Sequence, residues 1–146
     1  MIFLPFLCRL RFLEIYLDLT SGDRYDFRIL TFLMGSLSIS LTSLEHLEFD
    51  IRFYCSKYRK FDSNTFYENL RTAWDDLDSI TTHPSSSRLQ RVDININYML
   101  YLEHDDGAEP VKEEILKAVF CGLPLLHKKG ILFVDAVIVG NDVGLE

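Results

Sequence analysis

Four segments of this chain alternate apolar and polar residues with a period of two, the pattern of strands that bury one face. Leu10-Arg11-Phe12-Leu13-Glu14-Ile15-Tyr16-Leu17 returns as Leu44-Glu45-His46-Leu47-Glu48-Phe49-Asp50-Ile51 and as Leu89-Gln90-Arg91-Val92-Asp93-Ile94-Asn95-Ile96. A degraded copy is Ile131-Leu132-Phe133-Val134-Asp135-Ala136. Aligned on the second apolar anchor (Leu13, Leu47, Val92, Leu132), the copies stand 34, 45 and 40 residues apart. A repeated strand-plus-helix unit predicts a stacked array that presents a surface.

The pattern places strand one over Leu10–Leu19, ended by the turn Thr20-Ser21-Gly22-Asp23. Helix one is expected near Arg24–Leu37, with Phe27, Leu30, Leu33, Met34 and Leu37 at helical spacing. Strand two covers Leu44–Tyr54. Helix two starts at a cap among Asp62, Ser63 and Asn64 and runs to Ile80, with Phe66, Leu70, Ala73, Trp74 and Leu77 along one stripe. The breaker His83-Pro84-Ser85-Ser86-Ser87 precedes strand three, Leu89–Leu102. Glu103-His104-Asp105-Asp106-Gly107 is a loop. Helix three starts near Glu109-Pro110, carries Val111, Ile115, Leu116, Val119 and Phe120, and is ended or kinked by Leu123-Pro124. Strand four spans Gly130–Val139.

The order β-α-β-α-β-α-β implies parallel strands with right-handed crossovers. Central strands of a doubly wound sheet, covered on both faces, read as continuous apolar runs. Here Leu13, Ile15 and Leu17 oppose Glu14, Tyr16 and Asp18. Leu47, Phe49, Ile51 and Phe53 oppose Glu48, Asp50 and Arg52, and Val92, Ile94 and Ile96 oppose Asp93, Asn95 and Asn97. One face is dry and the other wet. The expected fold is α/β: an open solenoid with a parallel four-stranded sheet and helices on one face. Strand four is apolar on both faces, so something further is expected to cover it.

The 146 residues, 48% hydrophobic and 13% aromatic, fit a single domain over residues 1–146, read as part of a longer array. A net charge of −7 argues against nucleic-acid binding, which needs clustered Lys and Arg. Lys57-Tyr58-Arg59-Lys60 is the nearest basic patch, and it falls in a loop. Cys8, Cys55 and Cys121 are far apart, odd in number and without a C-x-x-C spacing. Reduced thiols in an intracellular protein, cytoplasmic or nuclear, are expected. The apolar N-terminus lacks a basic leader and is interrupted by Pro5, which does not fit a signal peptide. No apolar run reaches the roughly 18 residues that read as a membrane span.

The phrases beginning at Leu44 and Leu89, and the stretch Leu123-Pro124-Leu125-Leu126-His127-Lys128-Lys129-Gly130-Ile131-Leu132, resemble the leucine-rich-repeat-like C-terminal regions of fungal F-box proteins. The likeness covers nearly the whole chain. It implies repeats that bind a target protein, while an N-terminal F-box, which nothing here matches, would recruit a cullin-based ubiquitin ligase. The repeats are longer and less even than the roughly 20–29 residues of a regular leucine-rich repeat.

With the anchors in register, the wet face forms columns: Glu14, Glu48, Asp93 and Phe133; then Tyr16, Asp50, Asn95 and Asp135; then Asp18, Arg52, Asn97 and Val137. Neighbouring like charges are unfavourable without counter-charges. Glu14, Tyr16, Asp18, Glu48, Asp50, Arg52, Asp93, Asn95 and Asp135 are the candidate partner-binding residues, forming an acidic patch for a basic protein. A solvated sheet face that happens to be acidic accounts for the same residues.

Elsewhere the chemistry is sparse. The run from Glu103 to Asp106 with Glu109 lacks the alternating oxygens of a calcium loop. His46, His83, His104 and His127 have no metal-ligand spacing; His46 reads as structural, and His127 sits past a helix end where cations suit the dipole. Trp74 reads as core. Cys55 near Lys57 and Arg59 has no partnered His for catalysis. No G-x-S-x-G, Walker A or G-x-G-x-x-G motif occurs. No enzyme activity, cofactor or metal is therefore expected. The expected function is a protein-interaction module, with self-association through exposed repeat ends as a further expectation. The alternative is a small α/β enzyme or ligand-binding domain with its site at the strand C-terminal ends.

Overall fold

The computed structural model describes residues 10–20, 32, 43–54, 63–82, 87–100 and 108–140. Within them lie four strands: β1 (Phe12–Thr20), β2 (His46–Tyr54), β3 (Arg91–Leu100) and β4 (Leu132–Gly140). Three multi-residue helices accompany them: α1 (Ser63–Thr82), α2 (Ala108–Gly122) and α3 (Pro124–Lys129). The strands form one parallel sheet in chain order, β1-β2-β3-β4.

The register is the one the anchor phrases predict. Leu13 pairs with Leu47, Leu47 with Val92, and Val92 with Leu132. The units also begin alike. The amides of Glu45 and His46 both donate to the Arg11 carbonyl, and those of Gln90 and Arg91 both donate to the Glu45 carbonyl. Arg11, Glu45 and Gln90 occupy the same place in successive copies of the phrase, so the repeat is geometric as well as compositional.

Strand alternation sends the anchors to one side. Leu47, Phe49, Ile51 and Phe53 of β2, and Val92, Ile94, Ile96 and Tyr98 of β3, are all buried. On β1, Leu13, Ile15 and Leu17 are only partly buried; on β4, Leu132 and Ala136 are buried, and Val134 and Ile138 partly so. Against this side pack the apolar stripes of the helices, in one continuous core. Leu70, Ala73, Trp74 and Leu77 follow the i, i+3, i+4, i+7 spacing of a helix face, and none is more than 1% exposed. Neither Gly nor Pro interrupts α1, and Pro84 follows its end. From α2, Ile115, Ala118 and Val119 enter the same core.

One feature differs from expectation. Leu123-Pro124 ends α2, yet Pro124 opens a further helix, α3, before β4. A proline in the first turn gives up an amide that has no helical partner there, and its φ is already helical. Gly130 closes α3 with φ 75°, in the left-handed region open to glycine, and its amide donates to the His127 carbonyl. His127, Lys128 and Lys129 therefore sit within the last turn of α3, not past a helix end, where their positive charge suits the helix dipole. β4 is the strand read as apolar on both faces. Its second face is not covered by any described element: Phe133, Val137 and Val139 remain exposed.

Helix one as read from the sequence, Arg24–Leu37, lies outside the described residues, except for Phe32, which is helical and half exposed. So do the N-terminal segment, Cys8, Cys55, Lys57–Lys60, His83, His104 and the acidic loop after β3. No helix among the described residues is long and apolar enough to cross a membrane.

α3 is held by a contact from a distant part of the chain. Its N-cap position, Leu123, has no side-chain acceptor. Asp78 of α1 takes that role: its Oδ2 accepts from the Leu125 amide (3.1 Å) and its Oδ1 from the Leu126 amide (2.9 Å). Those are first-turn amides that a helix leaves without partners, and a carboxylate also suits the positive end of the dipole. Nearby, a Cβ on Gly122 would stand 2.8 Å from Trp74 Cδ1, so the end of α2 reaches the buried indole only as glycine.

Candidate functional site

The polar side chains of all four strands emerge on the outer face of the sheet. The three predicted columns are present in register: Glu14–Glu48–Asp93–Phe133, Tyr16–Asp50–Asn95–Asp135, and Asp18–Arg52–Asn97–Val137. All nine candidate residues therefore share this face. A fourth column, Phe12–His46–Arg91, precedes them and goes beyond the predicted set.

This extra column changes the electrostatics. Arg91 lies two residues before Asp93 on the same strand and grips its carboxylate at two points, Nε to Oδ2 at 2.8 Å and Nη2 to Oδ1 at 3.0 Å. His46 Nε2, on the neighbouring strand, donates to the same Oδ2. Burial pushes the Asp93 carboxyl up. The hydrogen bonds and positive charges of Arg91 and His46 outweigh it and hold the group below the usual carboxylate range. Asp93, only 9% exposed, is thus a paired structural anion. Phe12 packs edge-on against His46, with centroids 4.7 Å apart, and the Arg91 guanidinium lies 4.2 Å above the Phe133 ring.

Glu14, Glu48 and Asp50 are arranged differently. One carboxylate oxygen from each lies within 4.8 Å of the others. A neutral amide lies among them: Asn95 Nδ2 donates to Glu48 Oε1 at 2.9 Å and to Asp50 Oδ1 at 3.1 Å. Asp50 is pushed above the usual carboxylate range by burial. Its hydrogen bond with Glu14 and the Glu14 charge add to this, while the Asn95 amide opposes it. Tyr16 is raised to about 12, first by its hydrogen bond to Glu14 and then by the surrounding negative charge. Three oxygens fall short of the six to eight that calcium takes, and exposed acids commonly cluster without an ion.

A shallow depression of about 210 Å³, lined by Tyr16, Leu17, Asp18, Asp50, Arg52 and Asn97, lies toward the strand C-terminal ends. It is smaller than the roughly 300–1,000 Å³ of small-molecule clefts. Asp135 is exposed on β4 beside Asn95. Cys121 is an exposed free thiol on α2, away from the sheet's outer face.

Arg91 and His46 were legible had the columns been extended by one position toward the N-terminus, because Arg91 shares the i, i+2 face with Asp93. The Asp78 contact has no comparable local signal.

Comparison of the chain with protein-family models, with curated proteins and with solved structures gives no match.

Proposed function

We propose that this chain is a non-enzymatic protein-interaction module. It is read as a leucine-rich-repeat-like open solenoid that uses the outer face of its sheet to bind a basic protein. The observation that supports this most is the pairing of a regular, in-register parallel sheet with an outer face over which no described element lies. On that face the carboxylates of Glu14, Glu48 and Asp50 crowd together. Complementary charge across an interface raises association rates and selects partners. The partner-binding residues carried forward are Glu14, Tyr16, Asp18, Glu48, Asp50, Arg52, Asn95 and Asp135. Asp93, already paired within the face, serves it as a structural anion.

The test is affinity purification with wild-type protein and with the combined variant Glu14→Gln, Glu48→Gln, Asp50→Asn, followed by quantitative mass spectrometry. Basic proteins captured by the wild type should be depleted at least severalfold with the variant. An unchanged set of captured proteins would remove this face as the binding surface.

A substrate-recognition role within an F-box-type adaptor is a narrower form of the proposal, supported by the resemblance of the Leu44 and Leu89 phrases. An F-box encoded in frame upstream of Met1 would support it; a reading frame that opens at Met1 would count against it. Self-association through exposed repeat ends is a competing reading, since β4 has a free edge among the described residues.

A further inference from the structure

The crowded carboxylates and the exposed apolar side chains of the outer face lie on different strands. Over β1 and β2 the face is mainly acidic, with Glu14, Asp18, Glu48 and Asp50 beside Arg52, while His46 reaches across to Asp93. Over β3 the anion is matched and the rest is amide: Asp93 is held by Arg91 and His46, and Asn95 and Asn97 follow. Over β4 two apolar side chains, Phe133 and Val137, are each 46% exposed, with the exposed Asp135 between them. A ligand lying along one strand meets either the crowded carboxylates or the exposed Phe133 and Val137, not both. A ligand crossing the strands meets both.

Resting on the reading of this face as a protein-binding surface, we propose that the partner contributes an extended segment running across the strands. A lysine or arginine of that segment sits over Glu48 and Asp50, and an apolar side chain sits on β4 against Val137 and Phe133. Charge complementarity fixes one end of the segment, because the crowded carboxylates are relieved by a cation and worsened by an anion. The exposed aromatic and β-branched side chains fix the other end, since they lose apolar surface to water only when something apolar covers them.

The sheet also sets the spacing. Adjacent strands stand about 4.8 Å apart, so β2 and β4 are separated by about 10 Å and β1 and β4 by about 14 Å. An extended chain advances about 3.3 Å per residue, which puts the cation and the apolar anchor roughly three or four residues apart. Asp50's raised carboxyl agrees with a site in which negative charge is crowded before the partner arrives.

The test uses fluorescence polarisation with labelled synthetic peptides of about eight residues, long enough to cross the sheet. One series carries a Lys or Arg and a Leu or Phe three or four positions apart on a Gly/Ser background. Controls carry the cation alone, the apolar residue alone, or both side by side. The spaced peptide should bind at least about tenfold tighter than any control. Glu48→Gln with Asp50→Asn should weaken it about tenfold and flatten its salt dependence, and Val137→Thr should weaken it severalfold. Circular dichroism melts on each variant establish that the fold is retained.

Equal binding of the cation-only peptide, indifferent to Val137→Thr, would overturn the crossing geometry while leaving an acidic binding face intact. No advantage of the spaced peptide over the controls would overturn the inference outright. So would a β4 substitution that shifts the oligomeric state by light scattering, since a second copy would then cover β4. The broader reading of the face fails separately, if partner capture is unchanged by the triple variant above.

Discussion

Two carboxylates on neighbouring strands of one sheet face, Asp93 on β3 and Asp50 on β2, sit in opposite electrostatic circumstances. Asp93 is gripped by Arg91 and His46 and held below its ordinary range. Asp50 shares its surroundings with Glu14 and Glu48, leans on the Asn95 amide, and is pushed above that range. Both are partly buried, so desolvation raises both. What separates them is the identity of the nearest side chains, set by strand register. One part of the face matches its anion with cations, and in the other three carboxylates crowd beside a neutral amide. This is why the inferred partner is placed over β1 and β2 and not over Asp93.

A third carboxylate calibrates the comparison. Asp78 is buried at 6% exposure, and two backbone amides of α3 donate to its carboxylate oxygens. Asp78→Ala should therefore have the largest effect of the three. It strands two first-turn amides and should cost about 2 kcal/mol in urea unfolding. A loss below about 0.5 kcal/mol would mean that water replaces the carboxylate at this helix start.

Asp93→Ala comes next. It breaks a charge-assisted pair with Arg91, and because Arg91 is half exposed the expected cost is about 1–1.5 kcal/mol. Arg91→Ala should reproduce much of this loss, and a double-mutant cycle should show the two to be coupled.

Asp50→Asn should carry the opposite sign. It removes one charge from a crowded set, while the amide oxygen of the new side chain still accepts from Asn95. A gain of roughly 0.2–1 kcal/mol is expected at neutral pH. A loss of stability would show that the Asp50 charge is needed within the fold, and would break the contrast with Asp93.

The smallest effect is the pH dependence. With its folded carboxyl above the ordinary value of 3.8, Asp50 binds protons more readily in the folded than in the unfolded chain. Its contribution favours folding increasingly as pH falls from neutral toward 3.8, and that gain is lost as pH rises through its folded value. Asp93 is depressed, so its contribution is full above 3.8 and is lost as pH falls through its lower folded value. The stability difference between wild type and Asp50→Asn should thus move in favour of wild type on mild acidification. The difference between wild type and Asp93→Asn should shrink only in stronger acid. Chemical denaturation at a series of pH values checks both slopes.

Much of the architecture was legible from residue order. A period of two with Leu, Ile, Val and Phe on one phase can satisfy water and core together only as a strand with one dry side. That determined the four strands, their inner residues and, through the anchors Leu13, Leu47, Val92 and Leu132, the register. The stripe from Leu70 to Leu77, with Trp74 in it, likewise determined a core-facing helix. The helix α3 was readable in principle, from Pro124 at its start and Gly130 at its end, but it is too short for periodicity to show.

What only the tertiary structure decided is which charges meet. Hydrophobic burial is non-directional and repeats with the backbone, so it leaves a periodic trace in the chain. A hydrogen bond to Asp93 from His46, or to the α3 amides from Asp78, depends on atomic positions that chain folding brings together across about 47 residues. No local pattern encodes such a meeting. The acidic columns could be written down from the sequence. That His46 reaches Asp93, and that Glu14, Glu48 and Asp50 crowd beside the Asn95 amide, follows only from the packed sheet.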